Sequence, residues 1–125
     1  MVMKSLHYER KKVESAPPEI QEWYEGAKGK HQQMIKKLQD HLYILVSGGE
    51  KTTGGHHVEI DKIEQIDRHE CHIHYKIYEP TDETTTISSF AYPYDLVVLP
   101  ISQFEKDDQG QQEEFFHFVL SKDRH

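Results

Sequence analysis

Gly48, Gly49, Gly54 and Gly55 fall within residues 47–55, around Glu50-Lys51-Thr52-Thr53. Four glycines so close together demand positive φ or close backbone approach somewhere in the loop. A loop of glycine, lysine and threonine could cradle a phosphate, which needs Gly-x-x-x-x-Gly-Lys-Ser/Thr opening a helix after a strand. Here Gly49-Glu50-Lys51-Thr52-Thr53-Gly54 runs into Gly55-His56, and then into the alternating Val58-Glu59-Ile60 of a strand. With no helix N-terminus there is no focused dipole for an anion. The loop therefore reads as a β–β connection or as an exposed recognition loop held by a rigid sheet.

The histidines are the second candidate, and there are ten. His69, Cys71, His72 and His74 lie close together, and His56-His57 precede them. Zinc needs three or four donors converging on one point. On a strand His69 and Cys71 share one face while His72 and His74 share the other. Only two donors per face then converge, with His57 as a cross-strand partner in the right register. Cys71 sits at the parity of Ile73 and Tyr75, which makes it a small buried hydrophobe and not a nucleophile. Glu113-Glu114 and Asp107-Asp108 stand in polar turn segments and read as solvated charge. Tyr92-Pro93-Tyr94 joins two large amphipathic rings through a fixed φ. It reads as a packed crossover or as aromatic anchors for a protein partner.

Composition bounds these readings. The chain has 125 residues and a formal charge of −7, room for one domain. That charge opposes a nucleic-acid binder, which needs a basic face. No apolar run is long enough to span a membrane. The start, Met1-Val2-Met3-Lys4-Ser5-Leu6, lacks the apolar stretch of a signal peptide, so a cytoplasmic protein is expected. One cysteine forms no internal disulfide.

The elements that must position these residues are mostly strands. Ser15-Ala16-Pro17-Pro18-Glu19 opens a short helix, whose stripe is Ile20, Trp23 and Tyr24, ended by Gly26 and Gly29. Residues 30–41 fit a helical stripe (Met34, Ile35, Leu38) or a strand leading into a tight turn at Gln39-Asp40-His41. Leu42-Tyr43-Ile44-Leu45-Val46 is a buried strand. Val58 and Ile60 start an alternating strand whose parity shifts at a bulge near Asp61-Lys62. Cys71, Ile73, Tyr75 and Ile77 alternate with polar residues as a half-buried antiparallel strand. Residues 84–91 are strand-prone, and residues 95–101 are a second buried strand. The apolar run at 115–120 could pair back on residues 101–104 as a hairpin or form a short helix.

Turn signals between short strands indicate a mainly β (α+β) domain, a compact antiparallel sandwich or half-barrel with one N-terminal helix. Residues 1–14 form a flexible arm, in which Leu6, Tyr8 and Val13 could dock as an edge strand. Residues 15–101 form the domain, and residues 102–125 form an extension. Leu42, Ile44, Val46, Val58, Ile60, Ile73, Ile77, Val97 and Leu99 should make the core, with Trp23 capping one edge.

The order of a Pro-Glu-Ile helix start, an apolar strand, Gly49-Glu50-Lys51, Thr53-Gly54-Gly55, Glu79-Pro80, Tyr92-Pro93-Tyr94 and Leu96-Val97-Val98 resembles the C-terminal domain of the PrcB family, a protease complex subunit, over about residues 17–101. Thr52 stands where the family usually has proline, and His56 where an aromatic is common. The resemblance implies a non-enzymatic domain that binds and stabilises a partner protease, with no cofactor and no catalytic residues. Lys51, Thr52, Thr53, Gly54, Gly55, Tyr92, Pro93 and Tyr94 are the expected partner-binding residues, sharing one surface. The alternative is a histidine-dependent metal-binding protein or metalloenzyme, marked by convergence of His57, His72 and His74.

Overall fold

A strand buried on both faces needs an unbroken apolar run, and residues 42–46 supply one. In the computed structural model, which describes residues 4–51, 56–67, 70–78, 91–103 and 115–121, that run is the centre of a strand. Its bounds are His41–Gly48, and every residue after His41 is buried.

The described strands are β1 (Lys4–Ser5), β2 (Glu9–Arg10), β3 (His31–Leu38), β4 (His41–Gly48), β5 (His57–Asp67), β6 (Glu70–Tyr78), β7 (Tyr94–Pro100) and β8 (Phe115–Ser121). One helix, α1 (Pro18–Ala27), joins them. They form two four-stranded sheets, ordered β2-β7-β4-β3 and β1-β5-β6-β8. Leu42, Ile44, Val46, Val97 and Leu99 of the first sheet pack on Val58, Ile60, Ile63, Cys71, Ile73 and Tyr75 of the second. The other face of the first sheet, with Tyr43, Leu45, Leu96 and Val98, is covered by Val13, Ala16, Ile20, Tyr24 and Ala27. The molecule is thus a β-sandwich carrying a helical third layer. All the expected core residues are buried except Ile77, which is half-buried at the edge of the core. Trp23 packs half-buried against the helical layer's cluster.

Local chemistry explains the details. The first helical bond runs from the Gln21 amide to the Pro17 carbonyl at 3.1 Å, with Pro18 at a position whose missing N–H is harmless. The helix continues through Gly26 to Ala27 because the buried stripe of Ile20 and Tyr24 is completed by Ala27. Residues 31–38 are a strand: each pairs with β4, from His31 opposite Gly48 to Leu38 opposite His41. A helix would put Met34 and Ile35 on one face. The sheet sends Ile35 to the inter-sheet core and Met34 and Leu38 towards the helix. The expected bulge falls between Ile60 and Lys62, and it lets Val58 and Ile60 point inwards before it and Ile63 and Gln65 after it.

Two expectations are corrected. The 115–120 run is a strand, yet it does not pair with Ile101–Gln103. It lies parallel to β6, with His72 opposite His117 and Ile73 opposite Phe118, so the sandwich is not wholly antiparallel. β7 already has β2 and β4 on its two sides, which leaves no edge for a hairpin. Pro100 ends β7, and Ile101–Gln103 turn into a 3₁₀ segment. The N-terminal residues dock as edge strands in both sheets, β1 on β5 and β2 on β7, with Leu6 buried between them. The strand expected at residues 84–91 lies outside the described residues but for Ala91.

Candidate functional site

The end of β4 and the link before β7 meet edge to edge. Lys51 and Ala91 exchange both backbone hydrogen bonds at 2.8 Å, and the Gly48 amide donates to the Pro93 carbonyl at 2.8 Å. Two adjacent glycines, Gly48 at the end of β4 and Gly49 just after it, suit their positions for different reasons. A Cβ on Gly48 would lie 3.0 Å from Pro93 Cγ and 3.1 Å from Val58 Cγ2, so a larger residue would push the link away. Gly49 has φ of +84°, in the left-handed region that L side chains avoid. Its amide is held by Ser47 Oγ at 3.2 Å. Of the expected partner-binding residues, the structure brings Lys51, Tyr92, Pro93 and Tyr94 to one rim. Thr52, Thr53, Gly54 and Gly55 lie outside the described residues.

The two tyrosines of the link do different work. Tyr92 is at the surface, and its hydroxyl donates to Glu50 Oε1 at 2.9 Å. That hydrogen bond holds the phenol above its ordinary pKa. Lys28 Nζ stands over the Tyr92 ring at 4.8 Å from its centre and pairs with Glu25 at 3.0 Å. Tyr94 turns towards the helical layer. Its ring packs on Tyr24 at 4.7 Å between centroids, and its hydroxyl oxygen accepts the Val13 amide at 3.0 Å. Burial, then the neighbouring Tyr94, push the Tyr24 phenol up to about 12. The rim therefore has one presented ring, Tyr92, and one ring, Tyr94, that fixes the link to α1. Sequence reasoning missed Lys28, Glu25 and Glu50, because Glu25 in α1 and Lys28 just after it reach the link only through the fold.

The histidines arrange differently from the metal expectation. His57 stacks on Tyr78 at 5.6 Å, opposite it in the β5–β6 ladder. His72 and His74 lie farther along β6, with ring centroids 6.2 Å apart, and His72 meets His117 at 5.5 Å. Each is taken up by a carboxylate: His72 Nε2 by Glu70 at 2.5 Å and His74 Nε2 by Glu64 at 3.1 Å. Among the described residues no three histidine, cysteine or acidic side chains are arranged to hold a metal ion. Cys71 is fully buried in the inter-sheet core. His69 and the acidic pairs at 107–108 and 113–114 lie outside the described residues. Among the described residues no helix is long and apolar enough to cross a membrane.

Residues 42–100 match the family model described as PrcB C-terminal, so the family resemblance is shown over β4 to β7, the segment that contains both sides of the rim. No curated protein and no solved structure gives a significant match.

Proposed function

We propose that this PrcB C-terminal segment makes the chain a non-enzymatic protein-binding module whose partner is a protease that it stabilises or regulates. The contact surface of this reading is Lys51, Thr52, Thr53, Gly54, Gly55, Tyr92, Pro93 and Tyr94. The observation that supports it best is the backbone bridge between Lys51 and Ala91, since it ties the base of the glycine loop to the aromatic link. A binding patch needs a rigid aromatic anchor beside backbone that a partner can approach. Tyr92 is the anchor, steadied by Lys28 and Glu50. Tyr94 positions the link through Tyr24 and Val13, and Lys51 is a rim charge that sets association rate more than final affinity.

A pull-down from the native cell extract, with Tyr92→Ala as the parallel bait, tests this. The expected result is a protease retained by the native chain and weakened by ~2 kcal/mol or more in the variant, with the variant's melting curve unchanged. Equal retention by both baits, or a retained partner that is no protease, overturns the reading.

A further inference from the structure

Cations gather at the rim although the whole chain carries −7. Lys28 and Lys30 follow α1, His31 opens β3, and Lys51 lies just past β4. Contacts hold them together. A Cβ on Gly49 would meet the His31 nitrogen at 3.1 Å and the Lys30 carbonyl carbon at 3.3 Å, and Lys28 covers the Tyr92 ring. Two carboxylates share the patch, and both are engaged inside it. Glu25 takes Lys28, and Glu50 takes the Tyr92 hydroxyl. Lys30 and Lys51 make no ion pair among the described residues. The patch therefore carries two lysines near Gly49 that have no ion-pair partner among the described residues, on the same rim as the Tyr92 ring.

We propose that the rim takes a carboxylate-bearing protein segment, an acidic stretch of the partner whose side chains meet Lys30 and Lys51 while an apolar group lies on Tyr92. The inference rests on the protein-binding reading above and adds the partner's chemistry to it. Opposite charge across a contact steers encounter and excludes wrong partners. On a net-negative molecule a cationic rim offers an acidic segment an attraction that the net charge does not. In the basic run at residues 10–12, Arg10 is taken up by Asp95 at 2.8 Å.

The test is an amide-shift titration of the isotope-labelled full chain with a hexaglutamate peptide at low salt. Shifts are expected at Lys28, Lys30, His31, Lys51 and Tyr92. They should vanish at about 1 M salt, where the screening length falls to about 3 Å. They should also vanish in the doubly substituted Lys30→Glu, Lys51→Glu chain, with its melting curve unchanged, and a hexalysine peptide should leave these amides unmoved. Absence of shifts, shifts centred on residues 10–12, equal shifts with hexalysine, or tighter binding of a single-stranded oligodeoxythymidylate at the same amides overturns the inference. A partner that depends on Tyr92 but ignores salt and the double substitution would sink the carboxylate chemistry and leave the binding-module reading standing.

Discussion

Asp95 has 4% of its surface exposed, and a carboxylate so buried persists only with partners. It accepts the Ile60 amide at 2.7 Å and three contacts from Arg10 at 2.8–3.0 Å. Arg10 Nη2 also donates to the Ile60 carbonyl at 2.7 Å, so this one cluster clamps β2 and β7 of one sheet to β5 of the other. The two partners are not equivalent. Arg10 is half-exposed and hydrates when released, whereas Asp95 without Arg10 is a buried charge held by one amide. Arg10→Ala should lower unfolding free energy by about 3–5 kcal/mol, and Asp95→Asn by only about 1–3 kcal/mol. Denaturant unfolding of the two variants gives the ranking, and the reverse order would discard the clamp as described. Glu64 makes a pH prediction on the outer face of β5. The Lys62 ammonium, then the His74 hydrogen bond, hold its carboxyl below the ordinary range. A lowered carboxyl stabilises above its unfolded value of about 4.3 and loses that contribution as pH falls through the folded value. Lys62 is half-exposed, so the contribution should stay under about 1 kcal/mol. Glu64→Gln should melt slightly below the native chain at neutral pH, with the gap closing as the pH falls below about 4.3; a gap independent of pH counts against this assignment.

At the scale of elements, the β3–β4 hairpin holds a backbone feature that a single substitution can relieve. Gln39, the first turn residue, has φ of +57°. A two-residue turn with positive φ at its first position favours glycine there, and a non-glycine residue in the left-handed region is disfavoured by about 1–2 kcal/mol. Gln39→Gly should therefore raise the unfolding midpoint by the equivalent of about 1 kcal/mol, read by denaturant titration. The turn at Gln39 was legible because the sequence places polar residues there, but the helix alternative at 30–38 could not be dismissed from periodicity. Met34, Ile35 and Leu38 satisfy a helical stripe, and only pairing with β4 separates Ile35 from the other two. Strands with their own signal were readable directly: the apolar run of β4, the alternation of β6 and the bulge in β5. Partner choice was not. The β8 sequence left a strand and a short helix both open, and its parallel place beside β6 depends on which sheet edge is open. The same limit applies to the rim: the link and the loop base were visible as motifs, while Lys28 reaches Tyr92 only through the packing of α1 on the first sheet.

At the scale of the molecule, residues 4–10 attach to both sheets. β1 lies on β5 and β2 on β7, so one short arm runs from sheet to sheet along one side of the sandwich. Its attachments are spread out. Leu6 is buried in the inter-sheet core, the Leu6 amide donates to the Ile63 carbonyl at 2.8 Å, and the Tyr8 hydroxyl donates to the Ile60 carbonyl at 3.1 Å. Gln103 clasps His7 with its side-chain amide, accepting from the backbone N–H at 2.8 Å and donating to the carbonyl at 2.6 Å. A chain lacking residues 1–10 should keep its strand signal by circular dichroism yet unfold with a stability lowered by about 3 kcal/mol or more, since it loses Leu6 and the Arg10 clamp together. An unchanged midpoint would mean that the arm contributes nothing to either sheet.

The registers of that arm also order events in time. Lys4 pairs with Gln65, and Arg10 pairs with Val97. During synthesis β1 and β2 precede β5 and β7, so both must wait until those later segments have been made before their partners exist. The β3–β4 hairpin needs no such wait, because its two strands are joined by Gln39 and Asp40 alone. Native closure is therefore a late event, governed by contacts distant along the chain, and such topologies fold on the millisecond-to-second scale. Until then the β5 and β7 edges stand bare, so the chain is most exposed to edge-to-edge aggregation before residues 4–10 have docked.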